Sequence, residues 1–200
     1  MPSDLLLVRH GQTDWNLAHR IQGCVDTPLN ATGLAQAKAT AEAFSRRPFD
    51  HIVSSQLERA STTAAWINAA HNHPLHVDAR LAERGHGEFE GWTWKEVVAH
   101  VGEEHADEFF QRSPKLEGWD VVQARMLAAL HDTASTMSGG TAVVVSHGGS
   151  IKSVIAAIQG VHYRSLPSLN NCSITHLRFD GAWTVVDYNN VAHLPEHLRT

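Results

Sequence analysis

The chain has 200 residues, 42% of them hydrophobic, and a formal net charge of −5 from 16 Lys and Arg against 21 Asp and Glu. That balance argues against a general nucleic-acid binder, which is more often basic, and the length suits one α/β domain with a substantial core. Cys24 and Cys172 lie far apart, which excludes a disulfide framework and fits a reducing compartment. No stretch approaches the ~20 apolar residues of a membrane helix. The apolar run at residues 5–8 is too short for a signal peptide. A cytoplasmic protein with no membrane partner is expected. The histidine-rich "HNHPLH" (71–76) lacks the ligand spacing of zinc motifs, so a solvated loop is expected there and no metal site.

Taken in chain order, residues 5–9 form a strand that delivers Arg9, His10 and Gly11 to its end. Residues 31–47 form a helix capped by Thr32, with Leu34, Ala37, Ala41 and Phe44 at helical spacing and Pro48 as the stop. "DHIVSS" (50–55) is a second strand, and an Ala-rich helix runs from Leu57 to Ala70. "LHVD" (75–78) is a weak strand, and "ERGHGEFEG" (83–91), with three glycines, is loop. Residues 93–112 are helical in parts, anchored by Phe109 and Phe110 and broken by Pro114 and Gly118. "DVVQARMLAALHDTAS" (120–135) is an amphipathic helix. "TAVVVSHGG" (141–149) carries a strand apolar at consecutive positions, as one buried on both faces should be. A helix over 150–158 follows, then a hairpin of "ITHLRF" and "WTVVDYN" turning at Asp180-Gly181. This alternation predicts an α/β three-layer sandwich with a mostly parallel central sheet and an antiparallel edge. It reads as a single domain over 1–200 with a short lid-like insertion at about 90–120.

In open α/β sheets ligands bind beyond the carboxyl ends of the strands. There the chain places Arg9 and His10, then Ser54, Ser55 and Arg59, then Ser146, His147, Gly148 and Gly149. Taken singly, Arg59 could pair with a carboxylate on its helix, and His147 could be a hydrogen-bonded core residue. Together, two histidines and two arginines at one sheet edge point to phosphate chemistry. A neutral imidazole attacks phosphorus competently, and the guanidinium fork matches phosphate oxygens. The Gly148 amide, at the mouth of a helix, adds anion affinity.

The segments "VRHGQT", "SSQLERA", "LAERGHGEFEG" and "VVVSHGGSI", in that order, resemble the signature segments of the histidine phosphatase superfamily, the phosphoglycerate mutase-like proteins. The resemblance covers nearly the whole chain, and "RHGQTDWNLAHRIQG" is similar to the broad-specificity phosphatase and α-ribazole phosphatase branch. It implies that His10 becomes a phosphohistidine while Arg9, Arg59 and His147 neutralise the transferred group, without metal or cofactor. It implies that Glu83 protonates the leaving oxygen and then activates water, with a raised pKa expected and with Glu88 and Glu90 as rivals. Thr13, Asn16, Gln22, Gly23 and Gly148 match positions that contact the phosphoryl group or the substrate, and Trp15 reads as packing.

The implied activity is metal-independent hydrolysis of a small phosphorylated metabolite. One alternative is a cofactor-dependent phosphoglycerate mutase, which carries a longer insertion with paired basic residues. Here Lys95, Arg112, Lys115 and Arg125 are scattered. The other is a non-catalytic phospholigand-binding module, which often lacks the nucleophile or the acid. One departure stands out. The branch usually carries Gly-Glu-Ser before the helix near 120, whereas this chain reads "KLEGWDVVQAR", with Trp119 placed to line or cap the pocket. A homodimer and a redox role for Cys24 are left open.

Overall fold

Leu5 to Val8 of strand β1 (Ser3–Arg9) are fully buried, and their alternation sets the layering. Leu5 and Leu7 pack with Met126, Leu130, Ile151 and Ile155 on one side, while Leu6 and Val8 pack with Phe44, Ile52, Ala64 and Ile67 on the other. A strand covered on both faces has no solvent side to keep polar, which is why its apolar run is unbroken. The structure, a computed structural model, describes residues 1–113, 115–137 and 139–200, with Gln111 described by its backbone alone. Pro114, expected as a helix breaker, lies outside the described residues.

The sheet has six strands in the order β3-β2-β4-β1-β5-β6, with β2 (His51–Ser54), β3 (Leu75–Val77), β4 (Gly140–Ser146), β5 (Ile174–Phe179) and β6 (Trp183–Asn190). The first four strands run parallel, and β5 and β6 form the antiparallel edge. Helices α2 (Ala31–Phe44) and α3 (Glu58–Asn68) cover one face, and α6 (Trp119–Met137) and α7 (Gly148–Gln159) cover the other. This is the expected sandwich. Its register sets Arg9 opposite Ser146, so the segments leaving β1 and β4 emerge side by side.

Several local expectations are corrected. Helix α2 is capped by Asn30, whose side chain accepts the Gly33 amide, and not by Thr32; it ends at Phe44, three residues early. Its buried face is Gly33, Gln36, Ala37, Thr40 and Phe44, which leaves Leu34 41% exposed. The helix is turned so that the buried Gln36 amide can bridge two loops, accepting the Gln12 N–H and donating to the Leu198 carbonyl, each at 2.8 Å. Gly33 permits this approach, because a Cβ there would lie 2.0 Å from the Gln12 carbonyl oxygen. A short unforeseen helix, α1 (Asp14–Leu17), starts from a capping box between Thr13 and Asn16. The glycine-rich 83–91 segment contains a 3₁₀ turn over Gly87–Phe89. The 71–74 stretch is the expected loop, half-buried or exposed throughout, with the His71 and His73 rings resting on Phe49 at centroid distances of 4.2 and 5.2 Å.

Helices α4 (Trp94–Val101) and α5 (Glu103–Gln111) build a satellite core in which Val97, Ala106 and Phe110 enclose Phe89, with Phe109 packed against it. Arg20 ties this unit to the loop after β1 through a bridge to Thr93 and an ion pair with Glu96. Among the described residues there is no cluster of three or more metal-ligating side chains, and no helix is long and apolar enough to cross a membrane.

Candidate active site

His10 follows β1 and is 2% exposed. Its Nδ1 lies 2.7 Å from the Gly11 carbonyl, which can only accept, so Nδ1 carries the proton and Nε2 keeps its lone pair. His147, delivered by β4, is fully buried with its ring centroid 5.2 Å away. Burial first, then the charges of Arg59 and Arg9, hold His10 well below the ordinary imidazole range. Burial, then Arg59, does the same to His147. Both rings are therefore neutral near pH 7. The Ser55 hydroxyl sits 2.8 Å from His147 Nε2; with the hydroxyl as donor, the His147 proton resides on Nδ1.

Arg59, in the first turn of α3, is fully buried and pairs with no carboxylate among the described residues. It donates through Nη1 to the Val25 carbonyl and through Nη2 to the Gly23 carbonyl, each at 2.8 Å. Gly23 holds a positive φ of 52°, and a Cβ on it would strike the Glu90 carboxylate at 2.1 Å. Arg9 donates to the Leu169 carbonyl. Among the described residues, the Nε atoms of Arg9 and Arg59 and the Nδ1 of His147 are buried with no hydrogen-bond partner. An unsatisfied buried donor costs about 1–3 kcal/mol. Three such donors around one neutral imidazole make a site that wants an anion. The Arg9 Nε also lies 3.1 Å from where a Cβ on Gly148 would stand, so glycine keeps this approach to the α7 mouth open.

The next two amides of α7 are already engaged. Gly149 and Ser150 donate to the Glu83 carboxylate at 3.0 and 2.9 Å, joined by the Ser150 hydroxyl at 3.1 Å and the Arg84 amide at 2.9 Å. Glu83 thus reaches the site from the 79–83 segment while its carboxylate is fixed at a helix mouth. Arg125 on α6 clamps the same segment from behind. Its Nε and Nη2 meet the Glu117 carboxylate at 2.7 and 2.9 Å. Its Nη1 donates to the Arg80 and Ala82 carbonyls, both at 2.7 Å, and Nη2 also to that of Glu83 at 3.2 Å. Every donor of the guanidinium is used. The rivals have other contacts. Glu88 is exposed, and the Glu90 carboxylate accepts the amides of Cys24 and His86.

Thr13 and Gln22 are buried and bonded to each other at 3.0 Å, with Thr27 completing the network, so they support the loop from inside. Asn16 stands nearer the ligand side, sharing a cleft wall with Arg9 and Asn171. Asn171 also donates to the His10 carbonyl at 3.0 Å. Trp15 packs over Gly91, as expected of a packing residue. The Cys24 thiol lies 3.5 Å from the Glu83 carbonyl, and burial, then Glu90, pushes it up, which disfavours the reactive thiolate. Of the expected residues, the structure gathers Arg9, His10, Arg59, Glu83 and His147 around one point. Ser55, expected only as a strand-end residue, is the partner of His147, and Asn171, Glu117 and Arg125 are additions that no local motif announces.

A neutral imidazole beside two buried guanidinium groups and a helix mouth, beyond the strand ends of a parallel sheet, defines an enzyme that handles phosphoryl groups. The chain belongs to the histidine phosphatase superfamily, branch 1, whose family model matches residues 5–191. It is 32% identical over 196 residues to the uncharacterized phosphatase PhoE of Bacillus subtilis, covering 96% of this chain and 97% of that one. It is 34% identical over 203 residues to a metal-independent phosphoserine phosphatase of Arabidopsis thaliana, covering 96% and 83%. The fold is similar, with a TM-score of 0.84, 30% identity and coverage of 96% and 100%, to a phosphoserine phosphatase of Entamoeba histolytica solved as a His-to-Ala variant with phosphoserine. Phosphatase activity is the reading these relatives share with the site.

Proposed function

We propose that the chain is a metal-independent phosphomonoester hydrolase that passes the phosphoryl group first to His10 and then to water. The observation that carries this is the Nε2 lone pair of a neutral, buried His10 beside three buried nitrogens that have no partner among the described residues. In the first step the Nε2–P bond forms as the ester P–O bond breaks, and the Glu83 carboxyl gives its proton to the departing alcohol. In the second, Glu83 takes a proton from water, the water oxygen bonds to phosphorus, and the N–P bond breaks to release inorganic phosphate and His10. Arg9, Arg59, His147 and the Gly148 amide hold the equatorial oxygens, where charge spreads in a loose transition state.

Mutase chemistry fits less well. Arg125 is committed to its clamp, Arg112 pairs with Glu108 on an exposed helix face, and Lys95 and Lys115 are exposed. The substrate is a small phosphorylated metabolite. The test is turnover of p-nitrophenyl phosphate with EDTA present, together with acid-quench trapping of phosphoenzyme. Undiminished turnover and an acid-labile phosphoenzyme missing from His10→Ala are expected; loss of turnover with chelator, or phosphoenzyme persisting in the variant, overturns the scheme.

A further inference from the structure

Strand β6 carries one extra residue against β5. Ile174 pairs with Asn190 and His176 with Asp187, so Tyr188 and Asn189 together face Thr175. A bulge of this kind re-aims side chains where a regular ladder would continue. Asn189 takes a left-handed φ of 57°, which asparagine tolerates better than most residues. Its backbone N–H donates to the Thr175 hydroxyl at 3.2 Å.

The bulge brings the Asn189 carboxamide onto the segment between Ser165 and Ile174, which belongs to no helix or strand. Its Oδ1 accepts the Asn170 N–H at 2.8 Å. Its Nδ2 donates to the Ser168 carbonyl at 3.2 Å and to the Asn170 Oδ1 at 3.0 Å. Tyr188, the other bulged residue, donates its hydroxyl to the Pro167 carbonyl at 2.7 Å. Residues on both sides of Leu169 are therefore gripped from β6. The Leu169 carbonyl accepts from Arg9 Nη1, while the Leu169 side chain is buried in the core. A guanidinium is planar, so fixing one Nη sets the direction of its Nε. That Nε, without a partner among the described residues, stands beside Gly148 at the mouth of α7. Arg9 lines one cleft of about 260 Å³ with Glu83 and Trp119, and another of about 780 Å³ with Asn16 and Asn171. Asn189 bounds neither.

We propose that Asn189 is a positioning residue for the phosphoryl transfer, acting through the Leu169 carbonyl to aim the Arg9 guanidinium. A segment with no ladder of its own keeps one shape only while side chains satisfy its backbone groups. Without the carboxamide the Leu169 carbonyl is free to shift, and Arg9 shifts with it. The inference rests on the phosphatase reading and on Arg9 as a ligand of the phosphoryl group.

The test is a double-mutant cycle of Asn189→Gly and Arg9→Ala, read as kcat/KM for p-nitrophenyl phosphate. Its phenolate leaves without a proton, so the Glu83 acid step does not enter. Glycine keeps the left-handed φ and removes only the carboxamide. Displacing a group by ~1 Å can cost ~10²-fold, so Asn189→Gly alone should lose at least ~10-fold. In the Arg9→Ala background the same change should cost less than ~2-fold, because the group it positions is gone. Asn189→Ala should be less stable than Asn189→Gly by Tm, yet match its kinetic loss when both are assayed folded. An unaltered kcat/KM in Asn189→Gly, an equal loss in both backgrounds, or an Arg9→Ala variant as active as wild type overturns the proposal. Where Asn189→Gly does not fold, the isosteric Asn189→Asp, which lacks both Nδ2 donors, replaces it in the cycle. Wild-type turnover separates the two failures: turnover without coupling sinks the positioning role alone, and no turnover sinks the phosphatase reading. In that second case, the same cycle read in the calorimetric Kd for inorganic phosphate decides the role of Asn189.

Discussion

Replacing Arg125 with alanine removes the mostly buried polar clamp between α6 and the segment that carries Glu83, leaving the exposed Arg80–Asp132 pair and the packing of Leu81 on Met126. The side chains of Arg125 and Glu117 are 18% and 21% exposed, so the pair is mostly but not fully dry. Removing one partner of a fully buried pair costs about 3–5 kcal/mol; with water reaching a fifth of each side chain, ~2–3 kcal/mol is the expected loss. For a chain of this size, at roughly 2–4 °C per kcal/mol, Tm should fall by ~4–12 °C.

The kinetic effect should be selective, because a misplaced acid matters only where a proton is needed. A ~1 Å displacement of a catalytic group can cost ~10²-fold. For Arg125→Ala, kcat/KM on glycerol 3-phosphate, whose alkoxide needs a proton to leave, should fall by ~10²-fold. On p-nitrophenyl phosphate, whose phenolate leaves without one, the fall should stay under ~10-fold. Arg125→Lys, which keeps the charge but loses the fork, should recover part of the alkyl activity. The assays are steady-state kinetics on both esters below the variant's own Tm, with circular dichroism to verify folding. Equal losses on both esters in a folded protein would refute the positioning role and leave Arg125 a structural residue only.

Two other outcomes follow from the geometry. His10 and His147 have depressed values in the folded state, so their neutral burial is harmless above the unfolded value of about 6.5 and increasingly penalised as pH falls through the folded values. Tm should thus be flat above that pH and decline below it, and the acid limb of kcat/KM should lie below the ordinary imidazole range; a limb at or above it would contradict the neutral nucleophile. Gly33→Ala should be poorly tolerated, since its Cβ would stand 2.0 Å from a backbone oxygen that no rotamer change can move. A loss of ~1–3 kcal/mol or more in urea unfolding is expected, and unchanged stability would show that α2 and the Gln12 segment are not in contact.

Much of the site was legible because a parallel sheet collects the carboxyl ends of its strands at one edge. Once β1 and β4 are recognised as buried strands, His10 and His147 must emerge together, and Arg59 follows from its place one turn into the next helix. What misled was local chemistry with more than one use. Thr32 and Asn30 are both competent caps, and only the packing of Gln36 against Gln12 and Leu198 selects Asn30 and turns Leu34 outward. Arg125 read as one scattered cation, because nothing in its own helix indicates that Glu117 and three carbonyls from residues 80–83 will surround it.

The amino-acid sequence by itself determined the layers and the mostly parallel sheet and pointed to the candidate reacting groups, since apolar runs and strand-end residues act through periodicities a few residues long. Tertiary structure alone decided which donors are left without partners, which tautomer His10 adopts, how Glu83 is held and what lines the cleft beside it. Those properties depend on contacts between segments many tens of residues apart, such as Ser55 with His147 and Glu83 with Ser150, and they arise only when burial removes water as the competing partner.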